Sequence, residues 1–289
     1  MKIIKKKAYA KVNLALDVIR KREDGYHDVK MIMQNLNIFD ELEFFLDEES
    51  GTRSIIIETN REDIPTDKRN LIYKAIDIMF DEYDINADIR VKLTKNIPVE
   101  AGMAGGSTDC AAAIRAVNEL FNLNLDEEEM MKIGVKLGAD VPYCIMARTA
   151  LSEGIGEILT PVNPLPDCYV VVAKPPVNVS TKMVYEGLNI KDMKSHPRVD
   201  DMVLALSERN LYKTAECMEN VLETVTVKLY PEIEKIKDIM KEKGALNAIM
   251  SGSGPTVFGI YDDITSAQGA AEYLEKNAYS KEVFVTKPV

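Results

Sequence analysis

Histidine is scarce in this chain: only His27 and His196 occur. That argues against His-rich zinc sites and against chemistry needing several imidazoles. The four cysteines, Cys110, Cys144, Cys168 and Cys217, stand far apart with no C-x-x-C pair. They suggest neither a metal knuckle nor a disulfide framework, and a reducing cytoplasm fits them. No apolar run approaches the length that a bilayer crossing needs, so no membrane partner is expected. The start of the chain, MKIIKKKAYAKVNLALDVI, sets basic residues before an alternating pattern and not before the continuous apolar stretch of a signal peptide. Positive charge is also in deficit. Lys and Arg number 36 against 47 Asp and Glu, and the formal charge of −11 argues against a nucleic-acid binder. Internal repeats and low-complexity tails are missing as well. An acidic protein of this kind binds an anion only through a local pocket of basic or N–H groups.

What is present is enough apolar material for real cores. The 289 residues, 46 % hydrophobic, allow one large or two moderate domains. Ala8, Ala10, Val12, Leu14, Leu16 and Val18 alternate with mostly polar neighbours, which predicts a strand with one buried and one polar face. Lys11 and Asn13 then project from the same face, about 7 Å apart. A polar turn ending in Asp24-Gly25 leads to a second strand from Tyr26-His27 through Met33. Leu42–Leu46 and Ile55–Ile57 read as further strands. A helix opening near Thr66–Asn70 carries Ile72, Ala75, Ile76, Met79 and Phe80 at helical spacing.

The densest signal follows the strand Ile89–Leu93. It is Pro98-Val-Glu-Ala-Gly-Met-Ala-Gly-Gly-Ser-Thr-Asp109, a glycine-rich loop running into a helix with the stripe Cys110, Ala113, Ile114, Val117, Leu120. Such a loop aims free N–H groups and a helix dipole at one place, which suits phosphate. It is neither a Walker A loop nor G-x-G-x-x-G. Asp109 reads as a cap for that helix. A second helix is expected from Asp126, with Glu129 completing a capping box, and it ends near Gly138. Asp140 then falls on a turn, because the residue before Pro142 is pushed to extended backbone.

Three prolines within Pro161–Pro166 mark a connection between domains, expected at residues 1–160 and 161–289. Beyond it, a strand at Tyr169–Ala173, helices near 181–188, 202–206 and 210–222, a helix from Pro231, strands around Ser251-Gly-Ser-Gly254, a last helix and a strand give β-α-β-β-α-β. That is the ferredoxin-like, split βαβ order with extra helices in its first crossover. Two glycine loops so far apart in sequence point to a ligand held between domains.

Several of these stretches resemble the GHMP family of small-molecule kinases. Ala10-Lys-Val-Asn-Leu14 with Asp24-Gly-Tyr-His27 is similar to an N-terminal signature of the family. Pro98–Asp109 is similar to its second motif, and Met250-Ser-Gly-Ser-Gly254 to its third. Leu137-Gly-Ala-Asp-Val-Pro142 and Glu153-Gly-Ile-Gly-Glu-Ile-Leu159 also match, and together the motifs run in order from about residue 7 to residue 260. The resemblance implies a two-domain α+β fold, ribosomal-protein-S5-domain-2-like in its N-terminal half. It also implies ATP and Mg²⁺ as cofactors in a cytoplasmic, monomeric or weakly dimeric enzyme. The first signature and Leu137–Pro142 narrow the implied acceptor to a cytidine diphosphate-linked methylerythritol, phosphorylated on the route to isoprenoid precursors. Mevalonate, homoserine and a non-catalytic nucleotide-binding role are the alternatives.

By the same resemblance Asp140 is the expected base, held ionised by Lys11, which also serves the transferring phosphoryl group. Pro98, Glu100, Ala101, Gly102, Met103, Ala104, Gly105, Gly106, Ser107 and Thr108 would cradle ATP, with Ser107 or Thr108 near Mg²⁺. Asn70 and Lys95 would approach the adenine. Tyr26, His27 and Tyr185 would hold the cytosine, and Asn13 would touch the polyol or the phosphates. Glu100, Ala101 and Ala104 stand where the family pattern has glycine, Met103 where it has leucine, and Thr108-Asp109 where it has Ser-Asn.

Overall fold

The computed structural model describes residues 2–47, 52–190, 193 and 195–289, so most of the polar connection after Asp47 lies outside the described residues. The chain forms two compact units that alternate along the sequence. Unit 1 comprises Met1–Ala10, Ile38–Ile97 and Ala104–Ala147, and unit 2 comprises Lys11–Asn37, Pro98–Met103 and Arg148–Val289. Two long strands, β1 (Lys2–Lys21) and β2 (His27–Asp47), contribute residues to both. Leu42–Leu46 is the far end of β2 and not a separate strand, because residues 27–47 contain no glycine or proline to interrupt it.

In unit 1 the strand order is β3 (Ser54–Thr59), β4 (Asp88–Thr94), β2, β1. β3 runs parallel to β4, and β4 pairs antiparallel with Glu41–Asp47. The predicted stripe Ile72, Ala75, Ile76, Met79 and Phe80 is the buried face of α1 (Leu71–Glu82). α1 packs on α2 (Gly105–Leu120), with Phe80 edge-on to Phe121 at 5.7 Å between ring centroids. The capping box forms as expected at the start of α3 (Glu127–Val135): Asp126 accepts from Glu129 N, and Glu129 reaches back to Asp126 N. Asp140 lies on a turn as expected, but the extended backbone expected before Pro142 does not form. A short helix, α4 (Val141–Met146), begins directly after Asp140, and Val141 is helical despite the proline that follows. Pro142 sits in the first turn, where its missing N–H costs no intrahelical bond.

In unit 2 the hairpin β5 (Ala150–Glu153) and β6 (Ile158–Pro161) adds to β2 at Met31–Met33. The second sheet is antiparallel, in the order β11 (Glu282–Thr286), β7 (Tyr169–Lys174), β10 (Val257–Tyr261), β9 (Asn247–Met250). Inserted after β7 are α5 (Thr181–Gly187), α6 (Val199–Ser207), α7 (Leu211–Glu216), β8 (Glu219–Asn220) and α8 (Glu223–Leu229). With α9 (Glu232–Glu242) and α10 (Ile264–Lys276), the ferredoxin-like order is the one expected. The helix expected over 210–222 is broken. β8 pairs parallel with β1 through Ala15↔Glu219 and Leu16↔Asn220, so strand pairing overrides the helical pattern there.

β1 departs from its alternation in one respect. From Ala10 to Val18 every residue is buried, including Lys11, Asn13 and Asp17. The polar face of the strand is therefore covered, and polar groups there must find partners inside the protein.

Candidate active site

In unit 2, three separate stretches meet around Lys11. Its Nζ donates to Asn13 Oδ1 at 2.8 Å and to the Gly102 carbonyl at 3.4 Å, and its backbone N–H donates to Met103 O at 3.1 Å. The strand alternation thus brings Lys11 and Asn13 to one place, as read from the sequence. The second glycine loop joins them: Ser251 Oγ donates to Gly102 O at 2.9 Å. Gly102 has φ +69°, and a Cβ there would stand 2.4 Å from the Ser251 carbonyl, so only glycine allows the two loops to touch. Asn220 holds the second loop in turn, its Nδ2 donating to Met250 O and Gly252 O at 2.8 and 2.7 Å. Sequence reading missed Asn220 because it lay inside an expected helix.

The start of the first loop is tightly bent. Glu100 has φ +52° and Ala104 φ +58°, left-handed positions that explain the glycine preference noted there. Pro98, Ala101 and Met103 are buried while Glu100 is exposed, so the loop presents backbone and not these three side chains to a ligand.

In unit 1 the loop runs into α2, whose cap position is Ala104 with no side-chain cap. Asp109 is not the cap. It lies a full turn into the helix and turns inward to Lys95, with Oδ2 2.6 Å from Nζ. Lys95 also donates to Asp40 Oδ2 at 2.6 Å, and Asp40 Oδ1 accepts from the N–H groups of Asn96 and Ile97. Burial opposes the charge on Lys95, but Asp109 and Asp40 outweigh it and hold its ammonium above the ordinary value. Burial pushes the Asp109 carboxyl well above the ordinary carboxylate range despite Lys95, and its Oδ1 is buried without a partner. The ammonium lies under the first turn of α2, since a Cβ at Gly105 would stand 3.0 Å from it. Gly106 is different. A Cβ there would meet only Leu71 Cδ1 at 3.6 Å, an ordinary contact, so the fold does not itself demand this glycine. A ligand approaching the uncapped N–H groups would.

The turn carrying Asp140 lies beside that helix start: a Cβ at Gly138 would come 4.0 Å from Ser107 Oγ. Asp140 occupies the cap position of α4, yet its side chain makes no cap bond. Asn70 caps α1 instead, accepting from Ile72 N at 2.8 Å and donating to Pro65 O at 2.7 Å. The side chains of Asn70 and Lys95 are thus both engaged within the fold.

A third group lies in unit 2. His27 and Tyr185 are 5.1 Å apart between ring centroids, and Tyr26 beside them is exposed. Asp24 accepts from Tyr26 N at 3.0 Å and so shapes the turn below it. Burial, then the charge of Lys21, lowers the His27 pKa below its ordinary 6.5. α5, which carries Tyr185, is tied to the second glycine loop where Thr181 Oγ1 meets Ser253 Oγ at 2.8 Å.

Within unit 2 the first glycine loop, the second glycine loop and Lys11 meet, and in unit 1 the start of α2 leaves its N–H groups uncapped; each is a feature that phosphoryl transfer uses. Two family models match the chain, GHMP kinases N terminal domain over residues 70–148 and GHMP kinases C terminal over residues 202–281. The chain belongs to the GHMP kinase family, whose phosphoryl donor is ATP. A relative from Lachnoclostridium phytofermentans is 49 % identical over 99 % of this chain and 98 % of its own length, and is named 4-diphosphocytidyl-2-C-methyl-D-erythritol kinase. One of the same name from Caldicellulosiruptor bescii is 45 % identical over 98 % of this chain and 97 % of its own. Among solved structures, a crystal structure of 4-(cytidine 5'-diphospho)-2C-methyl-D-erythritol kinase matches with a TM-score of 0.84 and 29 % identity, covering 99 % of each chain.

Proposed function

We propose that this chain is a 4-diphosphocytidyl-2-C-methyl-D-erythritol kinase, which moves the terminal phosphoryl group of ATP to the 2-hydroxyl of that acceptor in isoprenoid precursor synthesis. The observation that carries the phosphoryl-transfer reading is the meeting of Lys11, Asn13, Gly102 and Ser251 at one point of unit 2. The acceptor is supported by full-length relatives of that name at 45–49 % identity and by the paired rings of His27 and Tyr185.

In this reading Asp140 accepts the proton of the 2-hydroxyl as its oxygen bonds to the γ-phosphorus and the bond to the β-phosphate oxygen breaks, releasing ADP. Lys11 offsets charge on the moving phosphoryl group, and Asn13 orients the polyol. Gly102 and Ala104–Thr108 supply N–H groups to the phosphates. Asn70 and Lys95 border the adenine through their backbone, because their side chains are already engaged. Tyr26 and Tyr185 stack on the cytosine, and His27 hydrogen-bonds its polar edge as a neutral ring. Among the described residues no group of three or more His, Cys, Asp or Glu that could hold a metal ion is gathered. Such a lining fits Mg²⁺ held by ATP's own oxygens with the Ser107 or Thr108 hydroxyl, where it would neutralise phosphate charge.

We assign residues 1–160 to the ATP-binding half and 161–289 to the ferredoxin-like half; one matched family segment falls inside each. We assign the enzyme to the cytoplasm, as a monomer or weak homodimer without nucleic-acid or membrane partners. No helix among the described residues is long and apolar enough to cross a membrane.

Phosphorus NMR of the product tests the reading. The 2-carbon of the acceptor carries no hydrogen, so the new phosphomonoester is expected as a singlet beside an intact diphosphate. A signal split by neighbouring C–H protons, or inorganic phosphate alone, would overturn it.

A further inference from the structure

Asp17 is a buried carboxylate on β1, on the same strand face as Lys11 and Asn13. Its oxygens lie 3.0 and 2.9 Å from Nδ1 of His196, a half-exposed ring on the chain between α5 and α6. A carboxylate withdrawn from water on a strand is costly unless a partner justifies it, and here the partner comes from 179 residues away. A second polar contact lies beyond it. Lys30, three residues past His27 on β2, donates to both oxygens of Asp200 at the start of α6, at 2.7 and 2.8 Å. The chain beyond α5 is therefore fastened to β1 at His196 and to β2 at Asp200. Lys30–Asp200 is exposed and contributes little by itself; Asp17–His196 has the buried end and sets the geometry.

We propose that Asp17 and His196 are positioning residues for the cytidyl acceptor: their hydrogen bond anchors the chain at His196, beyond α5, and so sets the spacing of Tyr185 from His27. This rests on the reading of those two rings as the cytosine site. Asp17 and His196 themselves need touch neither substrate.

Steady-state kinetics on the full chain test it, comparing His196→Ala, His196→Asn, Tyr185→Ala and the double variant Asp17→Ala/His196→Ala. His196→Ala is expected to raise the KM for the cytidyl acceptor roughly tenfold, with the KM for ATP and kcat near wild type. His196→Asn keeps an N–H donor in the Nδ1 place and is expected to restore most of the loss. The double variant leaves no buried carboxylate unpaired, so it stays folded and measurable if His196→Ala does not. It is expected to show the same raised acceptor KM. An unchanged acceptor KM in that double variant, with a raised one in Tyr185→Ala, would overturn the positioning role alone. An unchanged KM in Tyr185→Ala would overturn the cytosine site itself. A parallel rise in both KM values would mean a general structural role and would equally refute the proposal.

Discussion

Asp109 illustrates what a single residue hides. Near the start of a helix an aspartate reads as a cap, and only the fold reveals that it faces Lys95 and Asp40 inside unit 1. Burial pushes its carboxyl well above the ordinary 3.8 against the pull of Lys95. A raised folded-state value means that the stability it contributes is full below the unfolded pKa and is lost as pH climbs toward the folded one. Asp109→Asn has the same shape and needs no proton. The variant is therefore expected to gain on wild type as pH rises from about 4 toward the raised folded-state pKa, read as a growing difference in Tm. A difference constant across that range would mean that Asp109 is ionised. The family pattern noted in the sequence, Ser-Asn where this chain has Thr108-Asp109, fits this place: an amide has the shape of a carboxyl and carries no charge into a buried position. By contrast Lys11 and Asn13 were legible directly, since a strand with period two leaves them no choice but to share a face.

At the scale of the element, the first glycine loop was visible as a loop before a helix, and its bends explain the glycine preference at Glu100 and Ala104, though not at Ala101. Gly102 has no alternative, whereas Glu100 and Ala104 hold left-handed backbone at a cost. Glu100→Gly and Ala104→Gly are each expected to raise the unfolding free energy by about 1 kcal/mol, the relieved strain exceeding the entropy glycine adds to the unfolded chain. Chemical denaturation measures this directly; a loss of stability in either variant would mean that the side chain makes contacts worth more than the strain. Other elements were read only in part. Local pattern predicted one helix over 210–222, but β8 interrupts it, because its pairing partner Leu16 of β1 lies more than two hundred residues back and leaves no local trace. α4 escaped notice for the opposite reason: the rule for a residue before proline is a preference, and a first helical turn tolerates it.

For the whole molecule, the ferredoxin-like sheet was legible because each strand and helix has a strong period and a plain stop. The compact units were not. Packing divides β1 after Ala10 and β2 after Asn37, within unbroken strands where composition does not change. Function belongs to this scale too, since loops, lysine and aromatic rings come from stretches scattered over the full chain. We propose that this chain transfers phosphoryl from ATP to the cytidyl acceptor with Asp140 as proton acceptor. ADP release, measured for wild type and Asp140→Asn with the cytidyl acceptor, mevalonate and homoserine, tests it most directly. Expected is turnover on the cytidyl acceptor alone, cut about a thousandfold in Asp140→Asn while ATP binds as before. Turnover on mevalonate or homoserine only, or wild-type rates in Asp140→Asn, would contradict it.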